Sequence, residues 1–169
     1  GREKRVVAAG EGCGYAGGFG LALLPDLVIA AESARFCMSF SRIGLVPHNA
    51  SMYTLPRAVG LQRAKEIMLS AREVHAQEAR ELGFVMEVAA DGKALERAIA
   101  VAQGISSASP AASAMTKAAL NRSFTSDLAT MVELESAPQA IAFTSEYHRD
   151  AVDRFSKKQA PRFSWPTAA

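Results

Sequence analysis

Residues 10 to 18, Gly-Glu-Gly-Cys-Gly-Tyr-Ala-Gly-Gly, constrain the fold of this chain more than any other segment. Residues Arg5 to Ala9 before this segment, apolar from Val6 onward, predict a buried strand, and Phe19 to Leu24 after it predict a short helix that Pro25 ends. Glycines between a strand and a helix permit a tight turn and let a ligand approach the backbone. We therefore expect the chain to fold around this turn.

The remaining apolar patterns predict strands first and helices later. Strands are expected at Asp26 to Ala31, Ala34 to Met38 and Phe84 to Val88. Helices are expected at Pro47 to Leu55 (ended by Pro56), Leu61 to Leu69, Ala76 to Leu82, Ala94 to Gln103, Pro110 to Leu120, Thr125 to Glu146 and Arg149 to Lys157. A βα half followed by a helical half predicts the α/β class.

Charge and cysteine content exclude several classes of function. The 19 basic and 17 acidic residues nearly cancel and are scattered, so no nucleic-acid partner is predicted. Cys13 and Cys37 form no CxxC pair, which predicts neither a metal site nor a disulfide framework and favours the reducing cytoplasm. The apolar stretch after Arg5 is short and broken by glycines, so neither a signal peptide nor a membrane span is predicted.

The glycine-rich turn has three interpretations. Gly12-x-Gly14-x-x-Gly17 matches the spelling of a dinucleotide fingerprint, with Glu32 twenty residues further on, but the helix that follows is too short for that fold. The glycines could instead serve only a tight turn and close packing. In the third interpretation the helix beginning at Gly17 or Gly18 offers free N–H groups and a positive dipole end to an oxyanion.

Several segments resemble the crotonase (enoyl-CoA hydratase/isomerase) family, in the family's order. They are Val6 to Ala9, Ala16 to Leu23, Asp26 to Phe36, Ile43 to Pro47, Leu55 to Gly60, Ala76 to Ala79 with Leu82-Gly83, and Arg154-Phe155 through Arg162-Phe163. The resemblance implies a crotonase-like ββα spiral, its C-terminal portion in residues 1–90, and a helical trimerisation region in residues 91–169. It also implies an acyl-CoA thioester as the partner, no cofactor beyond the coenzyme A of the substrate, no metal, and a homotrimer or hexamer.

The resemblance also implies particular roles for residues. Gly17 matches the family's second oxyanion donor, whereas the first donor comes from a loop upstream of the strand where this sequence starts. The two glutamates of a hydratase fall on Gly20 and Phe40, neither of which can transfer a proton. Hydration by the usual mechanism is therefore not expected.

Residues 34 to 47 are similar to the PaaG-like branch, which includes the ring-epoxide isomerase of phenylacetyl-CoA degradation. There, as in Δ3,Δ2-enoyl-CoA isomerases, the single acid/base carboxylate follows the proline that matches Pro47, and here that position is His48. Histidine can move a proton near neutral pH, so His48 is a candidate base; alternatively it is a structural histidine at a helix start. His75 and His148 are expected to be surface or capping residues before or at the start of helices.

Weaker expectations complete the site. By the same resemblance an acyl-CoA would contact Cys13, Tyr15, Ala16, Gly17, Phe40 and Ile43. Lys158 would reach the CoA phosphate from a neighbouring subunit; alternatively it is a solvated lysine. The leading hypothesis is an isomerase of acyl-CoA thioesters that uses Gly17 and His48. The alternatives are a catalytically weak acyl-CoA-binding or scaffold protein and, third, a nicotinamide-dependent oxidoreductase.

Overall fold

The computed structural model describes residues 4–167, which divide into two compact units. The first unit comprises Val6–Ala100. The second contains the described residues on either side, up to Arg5 and from Val101 onwards. The two units are described separately below.

Two three-stranded sheets form the framework of the first unit. In one, β1 (Val7–Gly10), β3 (Leu27–Ala31) and β6 (Glu87–Ala89) are all parallel. In the other, β4 (Arg35–Cys37) lies between β2 (Cys13–Tyr15), which is parallel to it, and β5 (Glu73–His75), which is antiparallel. Strands β1, β3 and β4 confirm the predicted apolar runs.

Helices cover these sheets. The first unit contains α1 (Gly17–Ala22), a 3-10 helix (Ser39–Ile43), α2 (Ser51–Val59), α3 (Leu61–Ser70) and α4 (Ala76–Glu81), and α5 (Ala94–Ser106) starts in it. Its core contains the rings of Phe19, Phe36 and Phe84, whose centroids lie 5.1–5.4 Å apart. Such aromatic contacts fix the helix that begins at Gly17 against both its neighbouring strand and the segment before β6.

Several predicted boundaries are wrong in this unit. Helix α2 begins at Ser51 rather than Pro47, and it continues through Pro56 to Val59. The fully buried side chains of Ser51 and Leu55, which precede Pro56, hold the helix against the core although Pro56 supplies no N–H donor. The strand expected at Phe84 to Val88 starts only at Glu87, since Phe84 and Val85 point into the core before pairing begins.

The second unit is helical. It contains α6 (Pro110–Leu120), α7 (Leu128–Phe143) and α8 (Glu146–Ser156), and each has a side-chain N-cap. The caps are Ser109, Asp127 and Ser145, and the Thr130 backbone N–H that Asp127 accepts lowers the pKa of that carboxyl. His148 therefore lies in the first turn of α8 and does not open it as expected, because Ser145 provides the cap.

The tail returns to the end of α5. The Ser164 backbone N–H donates to Ser107 Oγ at 2.9 Å, and a Cβ added at Gly104 would lie 2.5 Å from Pro166 Cδ. Glycine at position 104 is thus what lets the tail lie against this helix.

Candidate functional site

The site is built around the N-terminus of α1. The Ala16 backbone N–H donates to the carbonyl of Cys37 at 2.8 Å, which continues the pairing of β2 with β4 up to the helix start. Ala16 adopts φ 48° and ψ −115°, a conformation that L residues rarely adopt, and Gly17 then opens the helix. The amides of a first helical turn have no acceptor within the helix. The Gly17 N–H is therefore placed where an oxyanion can accept it.

The segment between Pro47 and α2 brings a histidine to the same place. Asn49 and Ala50 both have positive φ, 56° and 59°, so the chain turns sharply before Ser51. The Ser51 hydroxyl donates to the His48 carbonyl at 2.7 Å, and the Ser51 backbone N–H donates to the same oxygen at 3.2 Å. Because Ser51 is completely buried, the His48 backbone is held firmly while its side chain stays exposed.

Gly17 and Gly20 face this segment directly. A Cβ added at Gly17 would lie 3.5 Å from His48 Nε2 and 3.2 Å from Asn49 Nδ2. A Cβ added at Gly20 would lie 3.0 Å from the His48 carbonyl oxygen and 3.1 Å from Asn49 Cβ. The absence of side chains on this face of α1 is what allows the imidazole to lie over the helix start.

Phe40 borders the imidazole on another side. Its ring is buried and meets the His48 ring edge to face, with centroids 4.9 Å apart. Gly20 and Phe40, the positions where the resemblance places two glutamates, therefore both contact His48. Neither supplies a carboxylate, whereas the imidazole near Gly17 is a side chain that can carry a proton.

The structure brings Ala16, Gly17, Phe40 and His48 close together. Cys13 and Tyr15 lie nearby along the chain on β2, and the Tyr15 hydroxyl donates to Glu73, which raises the pKa of Tyr15 to about 12.

The other two predicted residues differ from this group. Ile43 ends the 3-10 helix with 69% of its surface exposed. Lys158 belongs to the second unit, where it is exposed just after α8. The part each would have in binding an acyl-CoA is taken up below as a proposal.

Sequence reasoning missed Asn49 and Ser51. Asn49 Nδ2 donates to the Gly17 carbonyl at 3.3 Å, which links the turn to the helix start, and Ser51 fixes the His48 backbone. A signal for them existed, because Asn favours the left-handed conformation and Ser favours helix starts.

Two features of the described residues bear on other classes of function. Within residues 4–167, no three or more His, Cys, Asp or Glu side chains gather in a group able to hold a metal ion. No helix in the same range combines the length and the apolar character needed to cross a bilayer.

Taken together, the fold and the site define a class: an α/β protein in which a helix-start amide and one imidazole face the same space. Such a pair can stabilise a developing oxyanion and move a proton beside it.

Comparison with known proteins identifies the family. Residues 2–165 match the family model described as enoyl-CoA hydratase/isomerase, and the chain belongs to that family. The predicted crotonase-like α/β fold is thereby confirmed. A nicotinamide-dependent oxidoreductase is excluded by the same match, and the fingerprint spelling fails structurally because β2 separates β1 from a helix of six residues.

Individual relatives carry related names. The chain is 34% identical over 161 residues to the 1,2-epoxyphenylacetyl-CoA isomerase of Escherichia coli, and 32% identical over 157 residues to the short-chain-enoyl-CoA hydratase of Clostridium acetobutylicum. These matches cover 95% and 93% of this chain but 62% and 60% of the relatives. The chain thus spans about three fifths of their length.

A solved structure agrees closely. The crystal structure of an enoyl-CoA hydratase/isomerase from Cupriavidus metallidurans superposes with a TM-score of 0.94 at 46% identity, covering 99% of this chain and 63% of that one. The relatives carry enzyme names and give no support to the scaffold alternative.

Proposed function

We propose that this protein isomerises an acyl-CoA thioester by a proton shift through an enolate. The observation that carries the proposal is the position of His48 Nε2 at the N-terminus of α1, 3.5 Å from where a Gly17 Cβ would be. One group able to accept and return a proton, beside a donor for the oxyanion, meets the needs of a 1,3-shift.

The chemistry follows from these two groups. The imidazole removes a proton from C2 of a 3-enoyl thioester, the carbon between the thioester carbonyl and the double bond, and negative charge moves onto the thioester oxygen. The Gly17 N–H donates to that oxygen, an interaction that can lower the barrier by about 3 to 4 kcal/mol. The imidazolium then returns the proton to a different carbon, so the double bond shifts and His48 recovers its initial state.

Hydration is the competing activity, because several relatives are named hydratases. Holding and activating water by the family's route takes two carboxylates, and the positions that would supply them are Gly20 and Phe40. The buried Phe40 ring against His48 also makes that side of the site apolar. Both features favour isomerisation over the addition of water.

Substrate contacts are part of the proposal. Cys13, Tyr15, Ala16, Phe40 and Ile43 would border the acyl group, and Lys158 of a neighbouring copy would bind a CoA phosphate. The Tyr15 hydroxyl already donates to Glu73, so Tyr15 would contribute its ring rather than a hydrogen bond.

Self-association into a trimer or hexamer is also proposed. Helix α7 has no buried residue and exposes apolar side chains on several faces, among them Leu128 at 80%, Val132 at 51% and Ile141 at 58%. Apolar surface of this extent is typical of contact between copies. Light scattering of the full-length protein should give the mass of three or six copies, and a monomer mass would contradict this.

Replacing His48 tests the mechanism. In the full-length protein, His48→Gln should lower kcat for isomerisation of a 3-enoyl-CoA by about 10²- to 10⁴-fold, because a positioned general base contributes that much. Formation of the conjugated 2-enoyl-CoA is followed by its ultraviolet absorbance. His75→Gln is the matched control, since His75 lies on β5 beside Arg35 and should leave the rate unchanged. A wild-type rate in His48→Gln would remove His48 from the mechanism.

A further inference from the structure

Asn49 lies between the two groups to which the proposed function assigns chemistry. It directly follows His48 in the chain, and its side-chain N–H donates to the Gly17 carbonyl at 3.3 Å. Its Nδ2 atom would lie 3.2 Å from a Cβ at Gly17, and its own Cβ would lie 3.1 Å from one at Gly20. The side chain thus packs along the same face of α1 that the imidazole covers.

The backbone turn at Asn49 needs hydrogen bonds from outside the turn to stabilise it. Two consecutive residues, Asn49 and Ala50, have left-handed φ angles, and such a turn is costly unless its surroundings hold it. Ser51 secures the turn at the His48 carbonyl from the α2 side. The Asn49 bond to the Gly17 carbonyl secures it from the α1 side.

We infer that Asn49 is a positioning residue that fixes the His48 imidazole over the Gly17 amide. This inference rests on the proposed function for its kinetic consequence only; the geometric part concerns where the imidazole lies. Asn49 does not exchange a proton itself. Its amide sets the distance between the proton carrier and the oxyanion donor, and a misplacement of about 1 Å can cost about 10²-fold in rate.

The test compares two glycine substitutions in neighbouring left-handed positions of the full-length protein. Asn49→Gly keeps the backbone conformation accessible but removes the side-chain donor. Ala50→Gly adds the same flexibility and keeps the Asn49 bond, so it is the matched control. Asn49→Ser, whose hydroxyl is one atom shorter than the amide, is a second variant should Asn49→Gly fold poorly.

The first readout is the NMR resonance of the His48 ring protons, which the nearby Phe40 ring shifts. Asn49→Gly and Asn49→Ser should move these resonances toward the values of a histidine with no aromatic ring beside it, whereas Ala50→Gly should leave them at the wild-type position. This measurement needs no activity.

The second readout is kinetic. Asn49→Gly should lower kcat for 3-enoyl-CoA isomerisation by about 10- to 100-fold with KM changed less than about threefold, because the misplacement affects the reacting groups and not the CoA contacts. Ala50→Gly should stay within about twofold of wild type.

The outcomes separate the two proposals. Unchanged His48 resonances in Asn49→Gly and Asn49→Ser would overturn the positioning role, and so would equal effects of Asn49→Gly and Ala50→Gly. If the His48 resonances shift in Asn49→Gly and Asn49→Ser while the wild-type protein shows no isomerase activity, the positioning role is supported and the proposed function is rejected.

Discussion

Gly20 offers a sharp test of how closely α1 and the His48 segment fit together. A Cβ at Gly20 would lie 3.0 Å from the His48 carbonyl oxygen and 3.1 Å from Asn49 Cβ, shorter than ordinary van der Waals contact. Gly20→Ala should therefore push the turn away by a few tenths of an ångström. Overpacking of this kind costs about 1–3 kcal/mol.

Gly18→Ala provides the matched control in the same helix. A Cβ at Gly18 would meet nothing within 4 Å, so alanine should bring there only its better helix propensity, about 0.5–1 kcal/mol. The same gain applies at Gly20 and partly offsets the overpacking. The two variants should consequently differ in unfolding free energy by about 1–3 kcal/mol, with Gly20→Ala the less stable.

Urea denaturation of both variants, followed by circular dichroism, measures this difference. The reasoning would be refuted if Gly20→Ala were as stable as Gly18→Ala. Gly20→Glu, the residue that the hydratase pattern would place there, should for the same reason fail to restore hydration, because the His48 carbonyl already occupies the space.

Three further predictions concern stability and reactivity. The Glu11 carboxylate accepts hydrogen bonds from the backbone N–H groups of Gly92 and Ala94 at the start of α5, at 3.3 and 3.2 Å. Glu11→Ala should therefore lower the unfolding free energy by about 1 kcal/mol, whereas replacing the exposed Glu32 by Ala should change it by less than about 0.5 kcal/mol. Equal effects of the two substitutions in urea denaturation would contradict this. Arg72 binds both Glu66 and Glu78 and lowers the pKa of Glu66. The ion pair with Glu66 therefore stabilises the folded state at pH values above the pKa of that carboxyl in the unfolded chain, and the stabilisation is lost as pH falls through its lower pKa in the folded state. Arg72→Met should lower the unfolding free energy by about 1 kcal/mol at neutral pH, because the ion-paired groups are about one-third exposed, and by less in acid. A loss of unfolding free energy that does not change with pH would refute the role of the Arg72 ion pairs. Cys37 is buried, which also raises the pKa of its thiol, whereas Cys13 is exposed. Iodoacetamide should therefore alkylate Cys13 in the native protein and Cys37 only after unfolding, as measured by mass spectrometry. Labelling of both cysteines at the same rate in the native protein would be inconsistent with the fold.

Much of the fold could be predicted because apolar runs and caps are local signals. Strand β3 is a continuous apolar run, and α6 begins at a Pro that follows a capping Ser. Strands β2 and β5 were missed, since each has only three residues and exists because it pairs with β4. Nothing in the local sequence Cys-Gly-Tyr or Glu-Val-His distinguishes a strand from a turn.

The candidate site, like the fold, could be predicted only in part. Gly17 and His48 could be singled out by residue type and by position in the family pattern. The approach of the two depends on Gly20 lacking a side chain and on the turn at Asn49, and these are contacts between segments about thirty residues apart. Periodicity and composition contain no information about such contacts.

The central claim is that the site moves a proton and does not add water. Its most direct test is to give the full-length wild-type protein a 3-enoyl-CoA and a 2-enoyl-CoA separately and to measure both turnover rates. We expect formation of the 2-enoyl-CoA from the first substrate, with hydration of the second slower by at least about 10²-fold, the contribution of a positioned acid–base group. Faster hydration than isomerisation would contradict it.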